Sequence, residues 1–221
     1  MKKLFIFLLS ISFPETLSLI HANPPQNDPP NIVIILADDM GYSDAGCYGG
    51  EISTPNLDEI AAGGLRFTQF YNTGRCWPTR SSIMTGYYPQ QVNVDGKRAA
   101  FPKWGYLFPH HLKQAGYKSY HSGKWHVQNV KKVVEDAGFD RSYRTNDHDR
   151  HFTPERHFLD GKKLPPVGSG EDYYSTTAIA SYAIDFLQEH HQKHSGNPFF
   201  LYAAFISPHF PLQAPEEDIE K

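Results

Sequence analysis

The 221-residue sequence predicts an α/β domain with a largely parallel central sheet. Strand-like and helix-like segments alternate along most of the chain, and the run Ile32-Val33-Ile34-Ile35-Leu36 has no polar alternation. A third observation is that residues able to do chemistry cluster just after strand-like segments, where open α/β sheets gather their ligands.

The elements follow in order. Residues 31–37 form the first strand, and its unbroken apolar run is what a strand shows when helices cover both faces, so it is expected in the middle of the sheet. Thr54 can cap a helix with Pro55 in its first turn. Leu57, Ile60, Ala61 and Leu65 recur at near-helical spacing, and Gly63 and Gly64 can end this short amphipathic helix. Residues 66–71 have strand character from their aromatic and hydroxyl side chains. Residues 78–85 read as a helix closed by Gly86, with Cys76 at its entrance. Residues 107–115 read as a helix stopped by Gly116, and residues 117–122 as a strand running into Gly123-Lys124-Trp125-His126. From Thr176 onward, Ile179, Tyr182, Ala183, Phe186 and Leu187 mark one face of a helix. Residues 198–206 form a last strand, ending at Ser207-Pro208-His209. There is no internal repeat.

Composition sets the class. Hydrophobic residues at 39% and charged residues at 20% describe an ordinary globular protein. A net charge of -3 from 21 basic and 24 acidic residues gives no electrostatic footprint for nucleic acid, so no such partner is expected. Residues 1–22 read as a signal peptide, with Lys2 and Lys3 as the positive region, residues 4–11 as the apolar region and Ala22 at the cleavage site. The apolar run is shorter than the roughly 18 residues needed to span a bilayer, and Pro14 and Glu15 interrupt it, so no stable membrane anchor is expected. A secreted or periplasmic location follows. Residues 23–30 form a Pro-rich leader, and residues 31–221 the domain. In an exported chain the two cysteines, Cys47 and Cys76, leave a disulfide open; otherwise Cys47 reads as an inert buried thiol.

Asp38 and Asp39 directly follow the first strand. Two adjacent carboxylates there are costly unless they are hydrated or bound to a hard divalent cation; taken alone, the pair also reads as exposed loop or cap residues. The decisive stretch is Cys76-Trp77-Pro78-Thr79-Arg80, followed by Ser81-Ser82-Ile83-Met84-Thr85-Gly86. It resembles the modification signature of the type I sulfatases, the formylglycine-dependent, arylsulfatase-like members of the alkaline phosphatase superfamily; Thr79 stands where serine is more usual and keeps the hydroxyl. Three further blocks share the resemblance: Ala37 to Asp44 with Thr54-Pro55-Asn56-Leu57-Asp58, the Gly-Lys-Trp-His tetrapeptide, and Ala204 to Pro211.

The resemblance covers roughly residues 31–213 and implies an α/β/α sandwich with a central, largely parallel mixed sheet. It implies that a formylglycine-generating enzyme oxidises Cys76 to formylglycine, whose hydrate attacks the sulfur of a sulfate ester, aryl or carbohydrate. The second hydroxyl of the hydrate then allows sulfate to be expelled. It makes Asp38, Asp39 and the converted residue 76 ligands of a calcium ion. Arg80 and Lys124 would grip sulfate, His126 would hold or deprotonate the diol, and His209 would stand near the leaving-group oxygen. The charges suit that chemistry, because negative charge builds on the bridging oxygen as the S–O bond breaks, and a cation, a helix N-terminus and a guanidinium all oppose it. The family's downstream Asp-Asn pair, a further lysine and a C-terminal subdomain are not among these residues. This stretch is therefore expected to be the N-terminal part of the catalytic domain, truncated at its C-terminus, and to bind calcium weakly and turn over little substrate by itself. A phosphoester or phosphonate hydrolase on the same fold and an inactive secreted binding fragment are the alternative readings.

The stretch Asp147-His148-Asp149-Arg150-His151 matches no defined zinc spacing and is expected to be a solvated insertion or a substrate-recognition loop. Trp104, Tyr106, Tyr173 and Tyr174 are candidates to stack on a sugar or aryl group, but also to pack internally.

Overall fold

A computed structural model describes residues 28–94, 106–127 and 130–220. The expected signal peptide, most of the Pro-rich leader and Trp104 lie outside the described residues. Six strands form one sheet: β1 (Ile32–Leu36), β2 (Lys118–Lys124), β3 (Arg141–Thr145), β4 (His157–Leu159), β5 (Lys162–Lys163) and β6 (Phe199–Ala204). Their spatial order is β1-β6-β2-β3-β4-β5; the first four are parallel, and β4 and β5 run antiparallel at the end. The helices are α1 (Pro55–Gly63), α2 (Cys76–Thr85), α3 (Phe108–Gln114), α4 (Ser175–Lys193) and α5 (Glu216–Ile219). No helix among the described residues is long and apolar enough to cross a membrane.

The two faces of β6 anchor two cores, as strand alternation requires. Phe200, Tyr202 and Ala204 pack with Met84 of α2 and with Leu107, Trp125 and Phe139. Leu201 and Ala203 face α4, where Ile179, Ala183 and Phe186 recur at helical spacing and close over Tyr120 and Tyr143. Burying each such large apolar side chain contributes about 1.5–3 kcal/mol. His121, in β2, is fully enclosed among Trp125, Phe139 and Tyr202, and this burial, reinforced by the Arg80 and Arg144 charges, pushes its pKa down to about 3. It is a neutral core residue whose Nδ1 pairs with Ser142 Oγ at 2.9 Å.

Three expectations need correction. Among the described residues β1 pairs only with β6 and lies at the sheet edge, not in its middle. Helix α4 sits over β2, β3 and β6 and stops short of β1, so Ile32, Ile34 and Leu36 pack inward while Val33 and Ile35 are 48% and 57% exposed. Residues 66–71 form no strand; no strand among the described residues pairs with them, and Phe67, Phe70 and Tyr71 stay exposed. Helix α1 forms as expected, but its apolar positions Leu57 and Ile60 are also exposed.

Gly123 is the tightest point of the sheet. Its φ of +115° is one that side-chain-bearing residues rarely adopt, and an added Cβ would fall 2.0 Å from the carbonyl oxygen of Ala204. Only glycine lets β2 approach β6 while turning Lys124 and His126 toward the strand ends. Gly123→Ala is expected to destabilise the protein by roughly 2–4 kcal/mol through clash and backbone strain. A urea unfolding midpoint equal to wild type would contradict this.

Candidate active site

The residues singled out above meet beyond the carboxyl ends of four parallel strands: Asp38 and Asp39 after β1, Lys124 and His126 at the end of β2, His148 after β3 and His209 after β6. Cys76 comes to the same place as the first residue of α2. A turn delivers it there: Gly74 adopts φ +72° and its N–H donates to Asn72 Oδ1 at 2.7 Å, while Thr73 Oγ1 pairs with Thr79 Oγ1 at 2.8 Å. Pro78 falls in the first turn, where its missing N–H costs nothing, and Gly86 closes the helix at φ +72° with its N–H on Ser82 O. Arg80, four residues after Cys76, lies on the same helix face.

Arg80 and Lys124 both grip Asp38. Arg80 Nη2 lies 3.1 Å from Asp38 Oδ1, and Lys124 Nζ donates to Asp38 Oδ2 in a very short contact; all three side chains are buried. Arg80 Nη1 also donates to the Lys124 carbonyl at 2.7 Å. Burial pushes the Asp38 carboxyl up, but the Arg80 and Lys124 charges together outweigh it and hold the group below its ordinary value. One carboxylate against two cations leaves an excess of positive charge, and Arg80 Nε is buried with no hydrogen-bond partner among the described residues. An anion arriving above this cluster would meet a field already built for it.

Cys76 Sγ and His126 Nδ1 are 3.4 Å apart. His126 holds φ +47°, and Asp39 φ +65°, in a region that non-glycine residues rarely occupy; such strain costs on the order of 1–3 kcal/mol and gathers at functional sites. The His126 ring contacts Trp77, with centroids 5.7 Å apart and planes tilted, and His148, at 5.1 Å and 27° between planes. His148 in turn lies 5.8 Å from the His209 ring. His209 Nε2 is 3.7 Å from Asp39 Oδ2, which returns the row to the end of β1.

Sequence reasoning missed His148. Its loop is not a solvated insertion: Asp147 and His151 are buried. Asp147 accepts hydrogen bonds from the backbone N–H groups of Glu155 and Arg156 at 2.7 and 2.5 Å, and His151 Nδ1 pairs with Ser175 Oγ at 3.1 Å. Burial, then the charges of Lys124, His126 and His209, push the His148 pKa down to about 3, so its ring is neutral at neutral pH. An Asp followed by a histidine just past a strand was the available signal, but β3 itself reads as polar.

Asp38, Asp39, Cys76, Arg80, Phe70 and Tyr71 line a cavity of about 740 Å³. Lys124 lies wholly buried below it. A smaller cavity of about 310 Å³ adjoins His209 on its other side, bounded by His151, Tyr174 and Gln213. Of the candidate stacking aromatics, Tyr173 pairs with Tyr143 through their hydroxyls at 2.7 Å and Tyr174 stacks on Phe152, both internal packing roles. Tyr106 is exposed. Both cysteines are free thiols, Cys47 half-buried, so no disulfide consumes Cys76.

The sulfatase family model matches residues 30–221. The chain belongs to the sulfatase family. It is 33% identical over 225 residues to an arylsulfatase of Klebsiella aerogenes, covering 90% of this sulfatase and 47% of that one. It is 32% identical over 238 residues to N-acetylgalactosamine-6-sulfatase of Rattus norvegicus, covering 92% and 44%. Among solved structures, BT4656 in complex with D-glucosamine-2-N,6-O-disulfate superposes with a TM-score of 0.69 at 31% identity, over 82% of this chain and 35% of that one. Ps i-CgsB superposes at 0.75 with 29% identity, over 86% and 48%. The fold is thus the alkaline-phosphatase-like α/β fold, and this sulfatase spans under half the length of the curated relatives it matches.

Family membership implies, in general, a formylglycine and a divalent metal. The residue at 76 is the cysteine that such a modification requires. For the metal, the donors fit in type only. Asp38 and Asp39 are hard oxygen donors at the site, but both Asp38 oxygens face cationic side chains, and among the described residues no three His, Cys, Asp or Glu side chains gather as a metal cage.

Asp38→Asn in this sulfatase would leave Arg80 and Lys124 buried against each other with no counter-charge. A loss of about 3–5 kcal/mol is expected. The check is the denaturant midpoint against wild type, and an unchanged midpoint would show that Asp38 does not hold the cluster together.

Proposed function

We propose that this sulfatase is the N-terminal part of an exported enzyme that hydrolyses an organic sulfate ester to an alcohol or phenol and inorganic sulfate. The observation that carries this is the seat of Cys76: at the N-terminus of α2, 3.4 Å from His126 Nδ1, above the positively charged Asp38–Arg80–Lys124 cluster. In the working enzyme Cys76 Sγ stands in for a hydroxyl oxygen of a hydrated formylglycine, which supplies the nucleophile. Asp38 and Asp39 would hold part of a calcium ion's coordination, and the ion would supply Lewis-acid polarisation; paired carboxylates favour an oxygen-seeking ion of this kind.

The chain's own residues do the rest. His126 Nδ1 is placed to accept the proton of a hydroxyl at position 76. The N-terminus of α2 and the Arg80 guanidinium offer developing negative charge a fixed dipole and fixed donors that need no rearrangement. Lys124, buried against Asp38, keeps that carboxylate ionised and oriented. His209, across the site beside Asp39, is placed to donate a proton to a departing oxygen. Because BT4656 and Ps i-CgsB were each captured with a sugar, a sulfated carbohydrate is the natural substrate class proposed, with Phe70 and Tyr71 as exposed aromatic walls for it.

The test is expression of the full-length protein with a formylglycine-generating enzyme, followed by peptide mass analysis at residue 76 and parallel assays on nitrophenyl sulfate and nitrophenyl phosphate. Conversion of residue 76 and faster sulfate than phosphate release are expected, with Cys76→Ala lowering sulfate release by at least roughly a thousandfold. Chelation should also lower the rate, and calcium restore it. An unconverted Cys76, or a phosphate ester cleaved faster than the sulfate, would overturn the reading.

A further inference from the structure

Five planar groups follow one another in a row of close contacts across the site. The Arg75 guanidinium lies 3.9 Å over the Trp77 ring; Trp77 meets His126, His126 meets His148, and His148 meets His209. The His126–His148 step is the nearest to parallel of the three ring pairs, at 27° between planes. His126 needs such support, since its backbone sits at φ +47° and its Nδ1 must stay within reach of residue 76.

We propose that His148 is a positioning residue of this sulfatase: the flat face of its ring, wedged between His126 and His209, sets the orientation of both. A ring does this better than a chain, because its flat face, only 27° from the plane of the His126 imidazole, limits how far that imidazole can turn. Neutrality matters too, since a charged third imidazole would repel any protonated neighbour. The loop is built to hold His148 in place. Asp147, just before it, is fixed by the Glu155 and Arg156 backbone amides and by Arg156 Nε at 2.5 Å; His151, three residues on, is locked by Ser175 and by a hydrogen bond from its own N–H to Gln213 Oε1 at 3.2 Å. A loop anchored on both sides of one residue fixes that residue. The plane is what acts on His126, so an apolar ring should serve in its place.

The kinetic part of the test rests on the sulfate-ester reading; the structural part does not. In the full-length matured protein, His148→Phe keeps a ring plane, His148→Gln keeps hydrogen-bonding capacity without a ring, and His148→Ala keeps neither. On nitrophenyl sulfate, kcat is expected to fall about 10- to 100-fold in the Ala and Gln variants with KM within about twofold, while the Phe variant stays within about threefold of wild type. Melting temperatures and residue-76 conversion, measured alongside, separate misfolding from mispositioning. Crystal structures of the unmatured variants supply the second readout: His126 Nδ1 should remain within hydrogen-bond distance of Cys76 Sγ in the Phe variant and leave it in the Ala and Gln variants. An unmoved His126 in the Ala variant would overturn the proposal. So would a Gln variant that works while a folded Phe variant fails, because that pattern assigns the role to a nitrogen. If no variant and no wild type releases sulfate, the functional reading fails alone and the His126 geometry still decides this one.

Discussion

The buried contact of Asp38 with Arg80 and Lys124 joins three separate pieces of chain: the end of β1, the first turns of α2 and the end of β2. None of the three groups is tolerable in the interior by itself, because an isolated buried charge would cost more than the fold has to spend. Each is therefore stable only where the other two are, and the helix that carries Cys76 is pinned to the sheet by its own Arg80. The backbone repeats the tie, with the Asp38 N–H donating to Ser207 O at 3.2 Å and the Arg80 guanidinium donating to Lys124 O.

The same contact sets the electrostatics of the cavity above it. Had the cluster balanced its charges, an incoming anion would have met only dipoles; with one cation in excess and a buried guanidinium nitrogen that has no hydrogen-bond partner among the described residues, the site carries a field that favours an anion. The row of rings from Trp77 to His209 brings three imidazoles together at the strand ends without adding charge where His148 stands.

Much of this was legible in the sequence, and the rest was hidden for definite reasons. The strand at Ile32–Leu36, helix α2 after Cys76 and the apolar face of α4 follow from periodicity and capping, which are local. The position of β1 is not local: an apolar strand and an apolar edge read alike, and only where α4 lies decides between them. Residues 66–71 have strand composition but pair with no strand among the described residues, so propensity alone misled. Strands β3 to β5 are short and polar, with Arg141, Arg144, Lys162 and Lys163 along them, and gave no periodic signal. At the site, Cys76, Arg80, Lys124, His126 and His209 stood out because their blocks resemble a family pattern. His148 did not, because what buries it is a carboxylate reaching amides eight and nine residues away, and no short window of sequence records that.

The outer rim of β1, which pairs with no further strand among the described residues, has one more consequence. Its outward backbone groups and the exposed Val33 and Ile35 together form the template on which another strand can add, and β1 carries no proline, lysine or bulge to discourage it. Copies of this 221-residue polypeptide produced in isolation would therefore tend to zip together rim to rim as concentration rises, and any polypeptide that shields this rim doubles as a guard against aggregation.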